Sequence, residues 1–108
     1  MSTEMTLGTL IEILTNEPPD KVCPLGFRRP HSYRGYYEDL AFEPAENVTV
    51  AEMLSEARLA LGAIFTGYKG GEFKMEGWTA VWLANYGQTG ETLGPRFLKL
   101  LLENGRVP

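Results

Sequence analysis

The sequence predicts an α+β domain, a small antiparallel sheet of about four strands packed with about three helices. Three observations predict it. Three segments carry apolar residues at helical spacing. Two aromatic-rich segments read as strands, Trp78–Tyr86 with clear alternation and Tyr33–Phe42 with imperfect alternation, and the strand connections include tight turns. At 108 residues the chain fits one domain, residues 1–108, within the usual range of about 100–150. Its 44% apolar content suffices for a core, so disorder is not expected as a description of the whole chain.

The elements follow in chain order. Thr6–Thr15 places Leu7, Leu10, Ile11 and Leu14 at helical spacing with Ile13 also apolar. Asn16 and the Pro18–Pro19 pair end it, because proline cannot continue a helix. So apolar a helix must be covered, by the rest of the domain or by a second copy. Asp20 to Phe27 reads as a brief strand after a turn, and Tyr33 to Phe42 as an aromatic-rich strand with Gly35 at a bulge or close approach. Glu43 to Asn47 reads as a loop. Thr49 and Glu52 then form a Thr-x-x-Glu capping box, and Val50, Met53, Leu54, Ala57, Leu61 and Ile64 keep helical period to about Phe65, with Gly67 at the C′ position. Tyr68 to Gly71 is a turn and Glu72–Met75 a short strand. Trp78–Tyr86 alternates as a central strand should, and Gly87–Gly94 is a loop. Pro95 suits the first position of a last helix, Pro95–Glu103, with Gly105 as its stop.

Composition narrows the function classes. A net charge of −4 argues against a coat for long nucleic acid, which is usually basic. The single Cys23 and single His31 provide no intramolecular disulfide and no Cys/His zinc set, and Cys23 is expected as a buried, inert thiol. No cofactor or metal is expected. Neither a signal segment nor an apolar run near about 20 residues is present, so the chain is expected in the cytoplasm, without a membrane partner.

Charge and aromatic rings crowd into Phe27–Tyr37, which holds three of the six arginines, the only histidine and four aromatic residues. Arginine presents a planar fork of donors that matches phosphate and stacks on flat rings. Arg28, Arg29 and Arg34 suit phosphates, His31 lies among them, and Tyr33, Tyr36 or Tyr37 offers a face to a nucleobase, worth about 1–3 kcal/mol per base. The alternative is a strand that buries its tyrosines and solvates its arginines against Glu38, Asp39 and Glu43. Gly67–Gly71 (GYKGG) is glycine-rich with Lys69 but lacks the Walker pattern. A plain turn is the alternative there, although its amides suit an anion approached by Lys69. Arg96 sits in the first turn of the last helix, where the dipole disfavours a cation. It therefore points to an anionic ligand there, with a salt bridge to Glu91 as the alternative. Glu38, Asp39, Glu43 and Glu46 lack metal-ligand spacing and read as a solvated edge. With Cys23 and His31 each alone, no nucleophilic motif forms, and the chain is not expected to be an enzyme.

The segments Pro30–Tyr37 (PHSYRGYY), Leu40–Pro44 (LAFEP), Asn47–Met53 (NVTVAEM) and Gly67–Phe73 (GYKGGEF) resemble small proteins carried by bacteriophages and prophages, the anti-Thoeris sponge proteins. The resemblance covers nearly the whole chain. It implies sequestration of cyclic ADP-ribose-type signals, with a second site for cyclic oligonucleotides. It also implies a homo-oligomer, a hexamer among its forms, in which N-terminal helices pack together. Such a protein needs no catalysis, only phosphate-binding arginines, an aromatic face and tight affinity. Two other classes stay open, a protein-directed inhibitor of a defence complex (anti-CRISPR-like) and a phage structural or assembly protein.

Overall fold

The computed structural model describes residues 5–33, 36–66, 71–85 and 90–106. Three helices and six strands alternate along them: α1 (Leu7–Thr15), β1 (Val22–Tyr33), β2 (Tyr36–Thr49), α2 (Val50–Ala60), β3 (Ile64–Thr66), β4 (Glu72–Lys74), β5 (Val81–Leu83), β6 (Glu91–Thr92) and α3 (Pro95–Glu103). The fold is α+β, with a four-stranded sheet in the order β1-β2-β5-β6 and a two-stranded sheet β3-β4. The four-stranded sheet is mixed rather than wholly antiparallel, because β2 pairs with β5 in parallel. The helix α2 lies between those two strands in the chain. A parallel neighbour requires a crossover of this kind, whereas a tight turn only reverses direction.

The β1–β2 hairpin dominates the sheet. Its ladder runs from Val22 opposite Thr49 to Tyr33 opposite Tyr36. The expected strand at 20–27 falls mostly within the longer β1, which starts at Val22. The expected single strand at 33–42 instead joins the end of β1 at Tyr33 to the start of β2 at Tyr36, with the expected bulge at Gly35 outside the described residues. The expected loop at 43–47 is strand. Pro44 sits opposite Phe27 in this ladder. Proline is tolerated there because β5 covers β2 only at Leu40–Phe42, which leaves the other edge of β2 open beyond Phe42. Two residues off the usual backbone regions punctuate the hairpin, Arg29 and Asn47, each with φ 53°. Arg29 is the extra residue between the pairs Arg28–Glu43 and Pro30–Phe42, a β-bulge.

The helices follow their local signals. α1 starts at Thr6, whose hydroxyl accepts from the Thr9 amide. α2 has the full capping box, with Thr49 accepting from Glu52 N–H and Glu52 accepting from Thr49 N–H. It ends at Ala60, earlier than its apolar period suggests. Gly62 adopts φ 82°, a conformation costly for residues with a Cβ, and its amide donates to Met75 O at 2.6 Å. The stop is therefore Gly62 rather than Gly67, and Ile64–Thr66 becomes a strand instead of a last helical turn. The expected strand Trp78–Tyr86 contracts to Val81–Leu83. A turn closed by Thr79 N–H to Glu76 O and by Glu76 N–H to the Thr79 hydroxyl takes its start, and Tyr86 lies outside the described residues. Part of the expected loop 87–94 is β6, which pairs with Trp82 and Leu83. α3 has the expected bounds.

One core joins the helices to one face of the sheet. Leu7, Leu10 and Leu14 of α1, Met53 and Ala57 of α2, and Leu98 of α3 are buried with Phe27, Leu40 and Phe42. The Phe27 and Phe42 rings lie 4.6 Å apart at 49°. Each buried Leu, Met or Phe among them contributes about 1.5–3 kcal/mol by leaving water. The apolar face of α1 is thus covered by its own chain, and Ile11 and Ile13 are themselves partly buried against the core. Gly8, Ile11 and Ile13 are half-buried, and the expected association through the first helix is a question of partner chains that this single chain does not address. A smaller cluster of Tyr33, Ala41 and Ala84 packs with Trp82. Among the described residues, no helix is long and apolar enough to cross a membrane.

Candidate functional site

The site begins where β5 ends. Beyond Phe42, β2 has β1 on one side only, and α3 packs against β1. A groove of about 610 Å3 opens there, lined by Leu25, Gly26 and Arg28 of β1, Pro44, Ala45 and Glu46 of β2, Leu83 of β5, and Phe97 and Leu101 of α3. Its volume falls within the range of about 300–1,000 Å3 usual for small-molecule sites. Phe97 and Leu101 are one helical turn apart, so both side chains meet on one face of α3. Leu25 remains 59% exposed, which keeps an apolar wall of the groove in water.

Arg28 brings the positive charge to this groove. Among the described residues the ion pairs are Lys21–Glu17, Lys74–Glu76 and Lys99–Glu103, and none involves an arginine. Arg28 stands opposite Glu43 in the ladder without forming such a pair. Asp39 is committed elsewhere, accepting from Trp82 Nε1 at 2.9 Å. The arginine side chain therefore has its fork of donors available.

The other expected residues separate. Arg29 is exposed on the bulge next to Arg28 and does not line the groove. Arg96 is exposed in the first turn of α3, beside Phe97 but outside the lining, and forms no ion pair with Glu91. N-cap Gly94 supplies no side-chain cap to that turn. Tyr33 goes into the second cluster, and buried His31 bonds to the backbone of its member Ala84. The His31 ring Nε2 lies 2.9 Å from Ala84 O and its Nδ1 lies 3.1 Å from Ser32 O. Tyr33 stacks on Trp82 at 4.3 Å and 5°, accepts from Gly90 N–H at 3.0 Å and donates to Gly90 O at 3.3 Å. The ring face of Tyr33 meant for a base is thus occupied by an indole. Arg34 and Lys69 lie outside the described residues, as does the turn at 67–70. Tyr36 lies in β2, but its side chain and that of Tyr37 also fall outside them.

Sequence reasoning placed Glu46 on a solvated edge and gave Phe97, Leu25 and Leu83 no part in a site. Nothing local marks these four as neighbours of Arg28, because the groove is assembled from four elements. Cys23 is fully buried, and burial pushes its thiol upward from the ordinary value. Among the described residues, no three His, Cys, Asp or Glu side chains gather where they could hold a metal ion. No protein-family model, curated protein or solved structure matches the chain. Fold and groove together define a small α+β domain with an open, mostly apolar cleft and an available arginine on its wall.

Proposed function

We propose that the chain is a non-catalytic binding protein that captures a small anionic ligand in this groove and holds its flat or apolar body against Phe97. The observation that carries the reading is Arg28, which takes part in no ion pair among the described residues and stands on an apolar groove of about 610 Å3. A charge-assisted bond to a phosphate contributes about 1.5–3 kcal/mol, and an aromatic face adds about 1–3 kcal/mol. The described lining contains a single carboxylate and no imidazole, thiol or hydroxyl, which supports binding over acid–base or nucleophilic chemistry. The resemblance to anti-Thoeris sponges supplies the ligand class, a cyclic nucleotide signal of the cyclic ADP-ribose or cyclic oligonucleotide type. The setting is the cytoplasm of a host bacterium, with the protein encoded by a phage. Depletion of a nanomolar signal requires a binding free energy near ~12 kcal/mol, so neighbouring groups must add to Arg28.

The test is a thermal-shift panel of cyclic ADP-ribose isomers and cyclic di- and trinucleotides, followed by calorimetry on Arg28→Gln and Phe97→Ala. A ligand at a hundred times its dissociation constant stabilises the native state by about 2.7 kcal/mol. Arg28→Gln is expected to weaken binding at least tenfold. The absence of a shift across the panel, or an affinity indifferent to both substitutions, refutes the proposal.

A further inference from the structure

The groove carries two charges of opposite sign. Besides Arg28, Glu46 lines it, and neither takes part in an ion pair among the described residues. Glu46 sits opposite Leu25 in the hairpin register, and Arg28 stands three residues further along β1. At about 3.3 Å per strand residue, their backbone positions lie roughly 10 Å apart along the hairpin, and both side chains line the groove. The residues between them and across the groove are apolar, among them Leu25, Ala45 and Leu83, with the Phe97 ring on the helical wall.

We infer that the ligand of this groove is zwitterionic, a nucleotide whose base carries positive charge at the end remote from its phosphate. The inference rests on the nucleotide-binding reading above and narrows it. A ligand bearing only negative charges gains at Arg28 and is repelled at Glu46. A nucleotide with a cationic base satisfies both ends, with its phosphate on the Arg28 fork and its base between the Glu46 carboxylate and the face of Phe97. That face attracts cations through the ring quadrupole. An adenine alkylated at N1 is a base of this kind. Glu46 then sets selectivity, because it distinguishes ligands of equal shape by charge alone.

The experiment compares adenosine monophosphate with its N1-methyl derivative, whose purine is cationic at neutral pH, by calorimetry at low salt on the wild type, Glu46→Gln and Arg28→Gln. Wild type is expected to bind the methylated nucleotide about tenfold more tightly. Glu46→Gln is expected to bring the two affinities within about twofold of each other, and Glu46→Lys to reverse the preference. Arg28→Gln should weaken both nucleotides by the same factor. Equal affinities in the wild type, or a preference that survives in Glu46→Gln, overturn the inference. If that happens while Arg28→Gln still weakens both ligands, the groove remains an anion site and only the cationic partner is lost. Binding of neither nucleotide at millimolar concentration overturns the inference and removes mononucleotides from the site. Glu46 is exposed, so its variants are expected to fold, and an unchanged thermal transition without ligand verifies this.

Discussion

Substitution of Gly26 by alanine tests how closely the hairpin and α2 are packed beneath the groove. A Cβ at Gly26 would overlap Val48 Cγ2 and lie 2.9 Å from Met53 Sδ. Neither neighbour has room to withdraw, since Val48 is 3% exposed and Met53 fully buried. The branched Val48 also has few rotamers to choose from. Overpacking of this kind costs about 1–3 kcal/mol, against which the loss of chain freedom in the unfolded state returns about 0.4–1 kcal/mol. The expected net destabilisation is about 1.5 kcal/mol. With a urea slope of about 1.5 kcal/mol per molar, the midpoint falls by roughly 1 M.

The double mutant makes the reasoning decisive. Val48→Ala alone removes two buried methyls and is expected to cost about 2 kcal/mol. When both changes are present, the methyl introduced by Gly26→Ala occupies the space that Val48 vacated. The double mutant should therefore be about as stable as Val48→Ala, roughly 1.5 kcal/mol better than the sum of the single changes. Equilibrium urea unfolding of the four proteins, with unchanged slopes, measures this. Strict additivity, or a Gly26→Ala protein as stable as wild type, would refute the close approach of β1 to Val48 and α2.

Thr49→Ala deletes the hydroxyl that accepts from Glu52 N–H at 3.1 Å and should lower stability by about 1 kcal/mol, whereas Thr49→Ser should change urea unfolding little. Arg29→Gly relieves a left-handed backbone at φ 53°. It should raise the urea midpoint by the equivalent of about 0.5 kcal/mol once the flexibility of glycine in the unfolded chain is deducted, while Arg29→Ala should not. Burial raises the Cys23 thiol above its ordinary 9.0, so the unfolded chain ionises first as pH climbs. The thiol's contribution is intact below 9.0 and is lost as pH rises through its higher native value. Wild type should thus lose stability above about pH 9 faster than Cys23→Ala, and equal alkaline slopes in the two proteins would refute the assignment.

Short-range signals located the helices well. The capping box at Thr49 and proline at the first position of α3 act within a few residues. Where a boundary depended on distant partners, the sequence misled. Pro44 and Asn47 look like loop residues, and only the missing neighbour on the far edge of β2 lets them remain in a strand. Gly62 and Gly67 are both plausible helix stops, and the bonds from Gly62 to Met75 and from Met75 to Ala63 favour the first. The same division holds for the site. Arg28 was legible as a cation among rings, but the rings in question were not. Tyr33 turned inward onto Trp82, and the aromatic neighbour of the groove, Phe97, arrived from the far end of the chain.

The groove and the safety of the sheet edge have one origin. Among the described residues, no backbone hydrogen bond from outside the hairpin reaches Pro44, Ala45 or Glu46. An open edge of this sort normally invites another strand. Here Pro44 removes a donor from that edge, Glu46 places a charge on it, and α3 stands across from it with Phe97 and Leu101. Each feature discourages a continuous β-ladder while leaving a cavity beside the strand. The shortness of β5 is therefore not a defect of the sheet. A longer β5, paired onward along β2, would occupy the edge that the groove leaves open.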